Sequence, residues 1–200
     1  MPNRPLLIGI TGGIGSGKTI VCKIFNILGV PVYEADVRAK AVMINNPALI
    51  TSIKNSFGND AYLDNGEINK VFLSNQIFRN KEKLELLNSL VHPCVAIDFE
   101  EWIENHEKNA YLIKEAALLV ESGSYKFLDF LITINAPIET RIERVLARDA
   151  HLTRDDVDDI ISKQLSEEEK IAKSRFVIEN DDKSLLIPQV LKIHEILISS

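Results

Sequence analysis

A glycine-rich stretch near the start of the chain, residues 12–19, constrains the fold more than any other feature. It reads GGIGSGKT and matches the pattern G-x-x-x-x-G-K-[ST] at every position. An apolar run of strand length, residues 6–10, comes just before it, and apolar residues at helical spacing follow over residues 21–28. This order of strand, glycine-rich turn and helix predicts a phosphate-binding loop; a turn of no chemical use is the alternative.

The residue types of this loop suit a triphosphate. Glycine allows positive φ, so that successive N–H groups converge on phosphate oxygens, and the N-terminus of the following helix adds further N–H groups. We predict that Lys18 reaches the outer phosphates, that the Thr19 hydroxyl binds Mg²⁺ and that the Ile20 N–H meets the innermost phosphate. The predicted phosphate-binding residues are Gly13, Ile14, Gly15, Ser16, Gly17, Lys18, Thr19 and Ile20.

Composition limits the partners that this chain can bind. Its 200 residues are 46% hydrophobic, which is enough for one core and a smaller second domain. Acidic residues outnumber basic ones by 29 to 23, so we expect neither nucleic acid nor an anionic membrane to bind the surface as a whole. The two cysteines lack C-x-x-C spacing, residues 1–5 leave no room for a signal peptide, and no apolar run approaches ~20 residues. These features predict a cytoplasmic protein.

Strand-length apolar segments alternate with helical ones along much of the chain. After the loop we predict strands over residues 31–33, 110–113, 129–134 and 175–179, which indicates a parallel α/β sheet. Asp36 follows the second strand. Because ligands bind beyond the carboxyl ends of parallel strands, we expect Asp36 at the same edge as the loop, or else as the cap of the next helix.

Residues 37–109 interrupt this alternation with amphipathic segments and no convincing strand. We predict helices over residues 38–43, 48–57, 70–78, 83–90 and 93–107. The block is too long for a simple crossover, so we interpret it as a second domain for the other substrate. His92 and Pro93 are predicted to open its last helix, and a histidine there is more often a packing or capping residue than a catalytic one.

Two further groups of charged residues are candidates for the same site. Glu115 follows a core strand, where it either lies near the metal or begins a helix. Arg141, Arg144 and Arg148 recur at three- and four-residue spacing, which places three guanidinium groups on one helix face. Opposite a phosphate loop, we interpret them as mobile cations for a transferred phosphoryl group; a solvated, salt-bridged helix is the alternative.

Several short motifs occur in a fixed order along the chain. They lie at residues 11–19, 35–36, 57–58, 65–66, 87–88, 92–93, 118–121, 144–149 and 178–180. The phosphate loop by itself is common to many families, whereas the ordered set is far more specific. With this set the chain resembles the dephospho-CoA kinase family over nearly all of its 200 residues.

The resemblance implies a P-loop kinase-type α/β fold, in which a parallel sheet is flanked by helices and carries a helical substrate domain and a small helical lid. It places the nucleotide-binding core in residues 1–36, 110–140 and 173–200, the CoA-binding domain in 37–109 and the lid in 141–172. The implied reaction transfers the γ-phosphoryl group of ATP, with Mg²⁺, to the ribose 3′-hydroxyl of dephospho-CoA. The products are CoA and ADP, and the step is the last of CoA biosynthesis.

The same resemblance implies roles for the reacting groups. Asp36 would accept the hydrogen of the 3′-hydroxyl and orient it in line with the γ-phosphorus. Lys18, Mg²⁺ on Thr19, and Arg148 from the lid would spread the charge of the transition state. Arg144 would be a second phosphate-binding or lid-closing group.

Binding roles away from the reacting groups also follow from the resemblance. His92 would contact the substrate, and Asn180 would lie near the adenine. Lys70 stands where the family has arginine, so a point charge replaces a planar bidentate contact with the substrate. Ile20 replaces a second hydroxyl residue after the lysine, which preserves a backbone contact and removes a side-chain contact.

Two other functions compete with this interpretation. Another small-molecule or nucleotide kinase would share the loop and the arginines and would differ only in the helical block. The second alternative is a GTP-dependent switch or a non-catalytic nucleotide-binding module. A GTP-dependent switch would need D-x-x-G and N-K-x-D motifs, and the sequence has neither. We therefore expect an enzyme that binds dephospho-CoA and ATP, that binds no nucleic acid and no membrane, and that is a monomer or a weak homo-oligomer.

Overall fold

A computed structural model of the protein describes residues 4–78 and 80–199. Residues 1–5 were predicted to leave no room for a signal peptide, and residues 1–3 of this segment lie outside the described residues. The strands are β1 (Leu6–Thr11), β2 (Val32–Glu34), β3 (Tyr111–Glu115), β4 (Phe130–Asn135) and β5 (Phe176–Glu179). The helices are α1 (Lys18–Ile27), α2 (Ala35–Asn45), α3 (Pro47–Phe57), α4 (Lys70–Ile77), α5 (Lys81–Glu104), α6 (Ile138–Arg148), α7 (Arg154–Ser162), α8 (Glu167–Ile171) and α9 (Leu186–Ile198).

The described residues divide into two compact units. The described parts of Met1–Tyr33 and His106–Ser200 form the first unit, and Glu34–Asn105 forms the second. The first unit contains the sheet, except for Glu34 at the end of β2, together with α1 and α6–α9. The second unit contains α2–α5.

The sheet of the first unit has the strand order β2-β3-β1-β4-β5. Strand β1 lies in the middle and pairs in parallel with β3 on one side and with β4 on the other, and β4 pairs in parallel with β5. The predicted parallel α/β sheet is confirmed. Because the strand order reverses at β1, the carboxyl end of β1 is where a sheet of this kind binds ligands.

The central strands of the first unit are buried on both faces. Ile132 packs into the large core cluster with Ile8 and Phe25, while its neighbour Leu131 packs with Leu119 on the opposite face. Successive residues of a strand point to opposite faces, so near-continuous apolar runs such as β1 and β4 mark a sheet that is covered on both sides. Helices α1 and α9 contribute to the first of these clusters.

The second unit is a helical bundle with its own core. Leu49, Ile53 and Leu87 belong to a buried cluster that draws on α2, α3, α4 and α5. Side chains of asparagine begin three of these helices: Asn46, Asn69 and Asn80 each accept a hydrogen bond from a backbone N–H in the first turn. The predicted helices over residues 48–57 and 70–78 are confirmed with shifts of one residue.

Helix α5 corrects one prediction. We expected separate helices over residues 83–90 and 93–107, with His92 and Pro93 at the start of the second, but one helix runs continuously from Lys81 to Glu104. Pro93 therefore lies inside a helix, where it cannot donate a backbone hydrogen bond. Leu87 and Val91 before the proline, and Cys94 after it, all pack into the same core cluster. Burial on both sides of the proline holds the helix together.

Among the described residues, none of the helices combines the length and the apolar character needed to cross a membrane.

Candidate active site

The phosphate loop connects the central strand β1 to helix α1, as the sequence predicts. Positive φ angles occur at Gly12, Gly15 and Gly17, with values of 146°, 77° and 94°. The Lys18 Nζ donates to the carbonyl oxygen of Gly12 at 2.9 Å and lies 3.4 Å from that of Gly13. The lysine side chain therefore folds back over the loop that it follows.

The loop packs so closely that a Cβ would overlap a neighbouring atom at each of its four glycines. A Cβ built on Gly15 would lie 2.3 Å from the backbone oxygen of Arg141, and a Cβ on Gly17 would lie 2.2 Å from Asn180 Nδ2. Both positions also have positive φ, which residues with a side chain rarely adopt. The glycines are required for the approach of α6 and Asn180 as well as for the loop's own conformation.

The N–H groups of the loop fall into two sets. Those of Gly13 and Ile14 donate to side chains, namely Glu167 Oε1 at 3.2 Å and Gln164 Oε1 at 3.0 Å. The Ile20 N–H, predicted to meet the innermost phosphate, donates to the Gly17 carbonyl at 3.0 Å. It therefore already belongs to the first turn of α1.

The N–H groups available to an anion lie further along the loop. Among the described residues, no group of the loop or of the start of α1 accepts a hydrogen bond from the N–H of Gly15, Gly17 or Thr19. These groups precede or open helix α1, where the helix dipole adds partial positive charge. Within this part of the loop the amides and the Lys18 ammonium suit a chain of phosphates.

Asn180 lies beyond the end of β5 and braces the loop from the side. Its Nδ2 donates to the Ser16 carbonyl at 2.7 Å, and its own N–H donates to the Asn135 carbonyl at 2.8 Å. The side chain is buried. Asn180 was predicted to lie near the adenine; its contact with Ser16 places it against the backbone of the phosphate loop, and the adenine contact stays a prediction.

The three arginines of α6 are not equivalent, although they share a helix. Arg141 is buried, and its Nε donates to the Ile14 carbonyl at 3.0 Å, so the interpretation as a mobile cation is wrong for this residue. Arg144 is half-buried; it donates to the Asn180 carbonyl at 3.1 Å and pairs with Asp182. Buried contacts thus fix the first arginine to the loop.

Arg148, at the end of α6, is the most exposed of these arginines. Its guanidinium pairs with the neighbouring Asp149 at 2.6 Å. Hydrogen bonding to this guanidinium lowers the pKa of Asp149, and the same bond raises the pKa of Arg148. The pair leaves Arg148 charged and at the surface of the first unit.

The predicted metal-binding residues lie at the ends of two elements. Thr19 is the second residue of α1, and its side chain is exposed. Glu115 ends β3 opposite Ile10 of β1, so it lies at the same edge of the sheet as the start of the loop. Both supply oxygen ligands, which Mg²⁺ prefers. Among the described residues, no three His, Cys, Asp or Glu side chains cluster as a metal site of their own.

Lys114, beside Glu115, is a charged residue to which no motif in the sequence assigns a role. Its Nζ lies 5.9 Å from the centre of the Tyr33 ring, a distance suited to a cation–π contact. Desolvation by burial lowers the pKa of this lysine. A partly buried cation therefore lies at the carboxyl end of β3.

Three predicted substrate residues belong to the second unit. Asp36 is the second residue of α2, two residues after β2, and is exposed. The N-cap of α2 is Glu34, so Asp36 lies in the first helical turn and not at the cap itself. Lys70 is the first residue of α4, and His92 lies within α5; both are exposed. Their roles toward a substrate stay predictions.

Sequence reasoning missed the side chains that hold the first half of the loop, which are Gln164, Glu167 and Arg141. Arg141 had been predicted as a cation for the phosphoryl group and not as a partner of the loop. They lie about 130 to 150 residues from the backbone groups that they contact. A local pattern cannot indicate such partners, because nothing near residues 13–14 in the sequence marks which distant side chains fold against them.

A phosphate loop that leaves the central strand of a parallel sheet, with an exposed hydroxyl at its helix and arginines on a neighbouring helix, defines a P-loop kinase. Residues 6–185 match the family model for dephospho-CoA kinase. The chain belongs to the dephospho-CoA kinase family.

Individual relatives agree with this assignment. A dephospho-CoA kinase from Bacteroides fragilis strain YCH46 is 35% identical over 186 residues, which cover 93% of this chain and 90% of that protein. Another, from Chlorobium chlorochromatii strain CaD3, is 37% identical over 183 residues and covers 88% of this chain and 86% of that protein. The crystal structure of TT1252 from Thermus thermophilus superimposes with a TM-score of 0.86 at 30% identity, covering 96% of this chain and 97% of that one.

Proposed function

We propose that this kinase transfers the γ-phosphoryl group of ATP to the ribose 3′-hydroxyl of dephospho-CoA and releases CoA and ADP. The observation that carries the proposal is the match of residues 6–185 to the dephospho-CoA kinase family, with the phosphate loop complete within it. The alternative is a different small-molecule or nucleotide kinase on the same scaffold, but such a kinase would not be expected to match this family over residues 6–185. The proposal includes a cytoplasmic location and a monomer or weak homo-oligomer.

On the ATP side, residues Gly13 to Ile20 form the phosphate cradle. Backbone N–H groups of the second half of the loop bind phosphate oxygens, and the Lys18 ammonium moves from the Gly12 carbonyl toward the outer phosphates. The positive φ angles of Gly15 and Gly17 support this role, since this conformation lets successive N–H groups of a loop converge on an anion.

The Thr19 hydroxyl and the Glu115 carboxylate are the residues that would hold Mg²⁺, directly or through water. The hard oxygen ligands of both residues fit this ion, and Glu115 lies at the loop's edge of the sheet. When bound, the ion neutralises charge that develops on the phosphate oxygens. Thr19, at the exposed start of α1, needs no rearrangement of the core to offer its oxygen.

On the acceptor side, Asp36 takes the proton of the 3′-hydroxyl and orients its oxygen for in-line attack on the γ-phosphorus. Its exposed position in the first turn of α2 keeps the carboxylate accessible. Lys70 and His92 contact the bound substrate, and residues 37–109 form its binding domain. Lys70 offers one positive charge at the start of α4, which suits an anionic group of the substrate.

Arg148 supplies positive charge to the transferred phosphoryl group, and Arg144 assists as a phosphate-binding or lid-closing group. Residues 141–172 act as the lid, in which Arg141, Gln164 and Glu167 already contact the loop. Residues 1–36, 110–140 and 173–200 act as the nucleotide-binding core, with Asn180 near the adenine. The exposed pair of Arg148 with Asp149 supports this role, because an ion pair at the surface is weak and exchanges readily for a phosphate.

A panel of acceptors tests the proposed reaction. Purified enzyme with ATP and Mg²⁺ is offered dephospho-CoA, its 3′-deoxy analogue, a nucleoside monophosphate and shikimate, and the products are identified by mass and by their ³¹P signals. We expect rapid turnover of dephospho-CoA to a product identical with CoA and no reaction of the 3′-deoxy analogue. Ready turnover of the monophosphate with dephospho-CoA inert would reject the assignment.

A further inference from the structure

Four charged side chains form a buried network behind the phosphate loop. The network consists of Glu121, Arg141, Glu167 and Lys170. Arg141 pairs with Glu167 at 3.0 Å, and Lys170 lies 3.5 Å from both Glu167 and Glu121. The Lys170 side chain is fully buried, and those of Arg141 and Glu167 are 5% and 13% exposed. Two positive and two negative charges make the buried network neutral as a set.

The network reaches the loop through one peptide group. The Gly12 carbonyl and the Gly13 N–H belong to the same peptide plane. The carbonyl accepts from Lys18 Nζ at 2.9 Å, and the N–H donates to Glu167 Oε1 at 3.2 Å. A negative charge at the N–H end polarises the peptide and makes its carbonyl a better acceptor for the lysine.

The next peptide plane repeats this arrangement with a neutral side chain. The Gly13 carbonyl lies 3.4 Å from Lys18 Nζ and accepts from the Ser16 N–H at 3.1 Å. The Ile14 N–H of the same plane donates to Gln164 Oε1 at 3.0 Å. Two consecutive peptides thus lie between the loop lysine on one side and the segment 164–167 on the other.

We propose that Glu167 and Gln164 are positioning residues that set the resting place of Lys18 through these two peptide planes. They fix the tilt of both planes, and the tilt decides where the two carbonyls hold the ammonium group before ATP arrives. The buried network holds Glu167 in turn. This inference rests on the proposed function only in that Lys18 binds ATP; it does not depend on which acceptor is phosphorylated.

Binding of ATP, measured by calorimetry with no acceptor present, tests the proposal. Glu167→Gln keeps an oxygen for the Gly13 N–H but removes the charge and places an amide NH₂ among cations. Without the charge, the Gly12–Gly13 peptide no longer holds Lys18 in place beside the loop. The ammonium group must then be ordered when ATP binds, and we expect this loss of preorganisation to raise the Kd for ATP about tenfold. Glu168→Gln is the matched control, because it removes the same charge from the next residue of α8, which is exposed and lies outside the buried network. It should change the Kd by less than about threefold.

A double-mutant cycle separates positioning from general structural damage. If Glu167 acts through Lys18, its substitution should have little further effect in a Lys18→Met background, within about twofold in Kd. Losses that add fully, or a Glu168→Gln variant that weakens ATP binding as much as Glu167→Gln, would overturn the proposal. Failure of the acceptor panel would instead reject the proposed reaction and leave these binding results unaffected.

A neutral substitution covers the case in which Glu167→Gln does not fold. Gln164→Leu removes the acceptor for the Ile14 N–H without changing the charge of the buried network, and Gln164→Glu restores an acceptor at the same place. We expect the leucine variant to weaken ATP binding, non-additively with Lys18→Met, and the glutamate variant to bind ATP nearly as tightly as the natural protein. Equal affinities for the two variants would contradict the proposal.

Discussion

Alanine at Gly15 is the substitution that tests the packing of the phosphate loop most directly. The new Cβ would lie 2.3 Å from the backbone oxygen of Arg141, whereas ordinary contacts to carbon lie at about 3.5 Å. The atoms that this Cβ would meet are all backbone atoms of Arg141, and none of them is the flexible end of a side chain. The loop or the start of α6 must therefore move by roughly an ångström, and Gly15 must also keep its φ of 77°.

The expected cost has two parts. Holding alanine at a left-handed φ costs about 1–2 kcal/mol, and relieving the overlap costs about 1–3 kcal/mol. We therefore expect Gly15→Ala to lower the free energy of unfolding by about 2–5 kcal/mol. A displacement of about 1 Å at such a site also lowers turnover by roughly a hundredfold.

Gly123→Ala supplies the matched control. Gly123 has a φ of 72°, and a Cβ built there meets nothing within 4 Å. The Gly123→Ala protein should lose only the cost of alanine at a left-handed φ, about 1–2 kcal/mol in the free energy of unfolding. It should keep its affinity for ATP. Urea unfolding followed by circular dichroism gives the stabilities, calorimetry gives the Kd for ATP, and the rate of ADP formation gives turnover. A Gly15→Ala protein as stable as the Gly123→Ala control, with ATP affinity within threefold of the natural protein, would refute the reasoning.

Two other predictions concern single carboxylates. Asp36→Asn should lower turnover by about 10²- to 10⁴-fold while ATP still binds, because a general base is lost; activity within threefold of the natural protein would exclude Asp36 as that base. Desolvation raises the pKa of Asp129, but hydrogen bonds from Arg4 and the Leu7 N–H outweigh it and lower the pKa. Asp129 therefore stabilises the fold above its unfolded pKa of about 3.9, and this contribution is lost as the pH falls through the lower folded pKa. Asp129→Asn should unfold more easily at pH 7 and lose less stability toward pH 3; an unchanged acid dependence would contradict this.

Local order along the chain made most of the first unit predictable. The strands near residues 6–10, 110–113 and 129–134 are near-continuous apolar runs, and the structure contains each of them as β1, β3 and β4. Such runs are long enough to cross a core and are bounded by turns on either side, so their formation of strands can be predicted without knowledge of distant contacts. The glycine pattern fixed the place of the loop for the same reason.

Tertiary packing decided the points at which the predictions differ from the structure. Proline predicts a helix break, yet α5 continues through Pro93 because the residues around it are buried in one cluster. Spacing alone places Arg141 and Arg144 on one helix face. It cannot show that the first guanidinium is buried against Ile14, since that depends on a loop more than 120 residues away.

The sequence by itself determined the phosphate loop, the parallel sheet and the family, because each is recorded in short runs of residues whose order along the chain is sufficient. Only the tertiary structure decided which side chains hold that loop. Glu167 and Gln164 meet Gly13 and Ile14 across about 150 residues of chain. Such hydrogen bonds form only when folding brings the donor and the acceptor together. No periodicity in the sequence connects two groups that are so far apart along the chain.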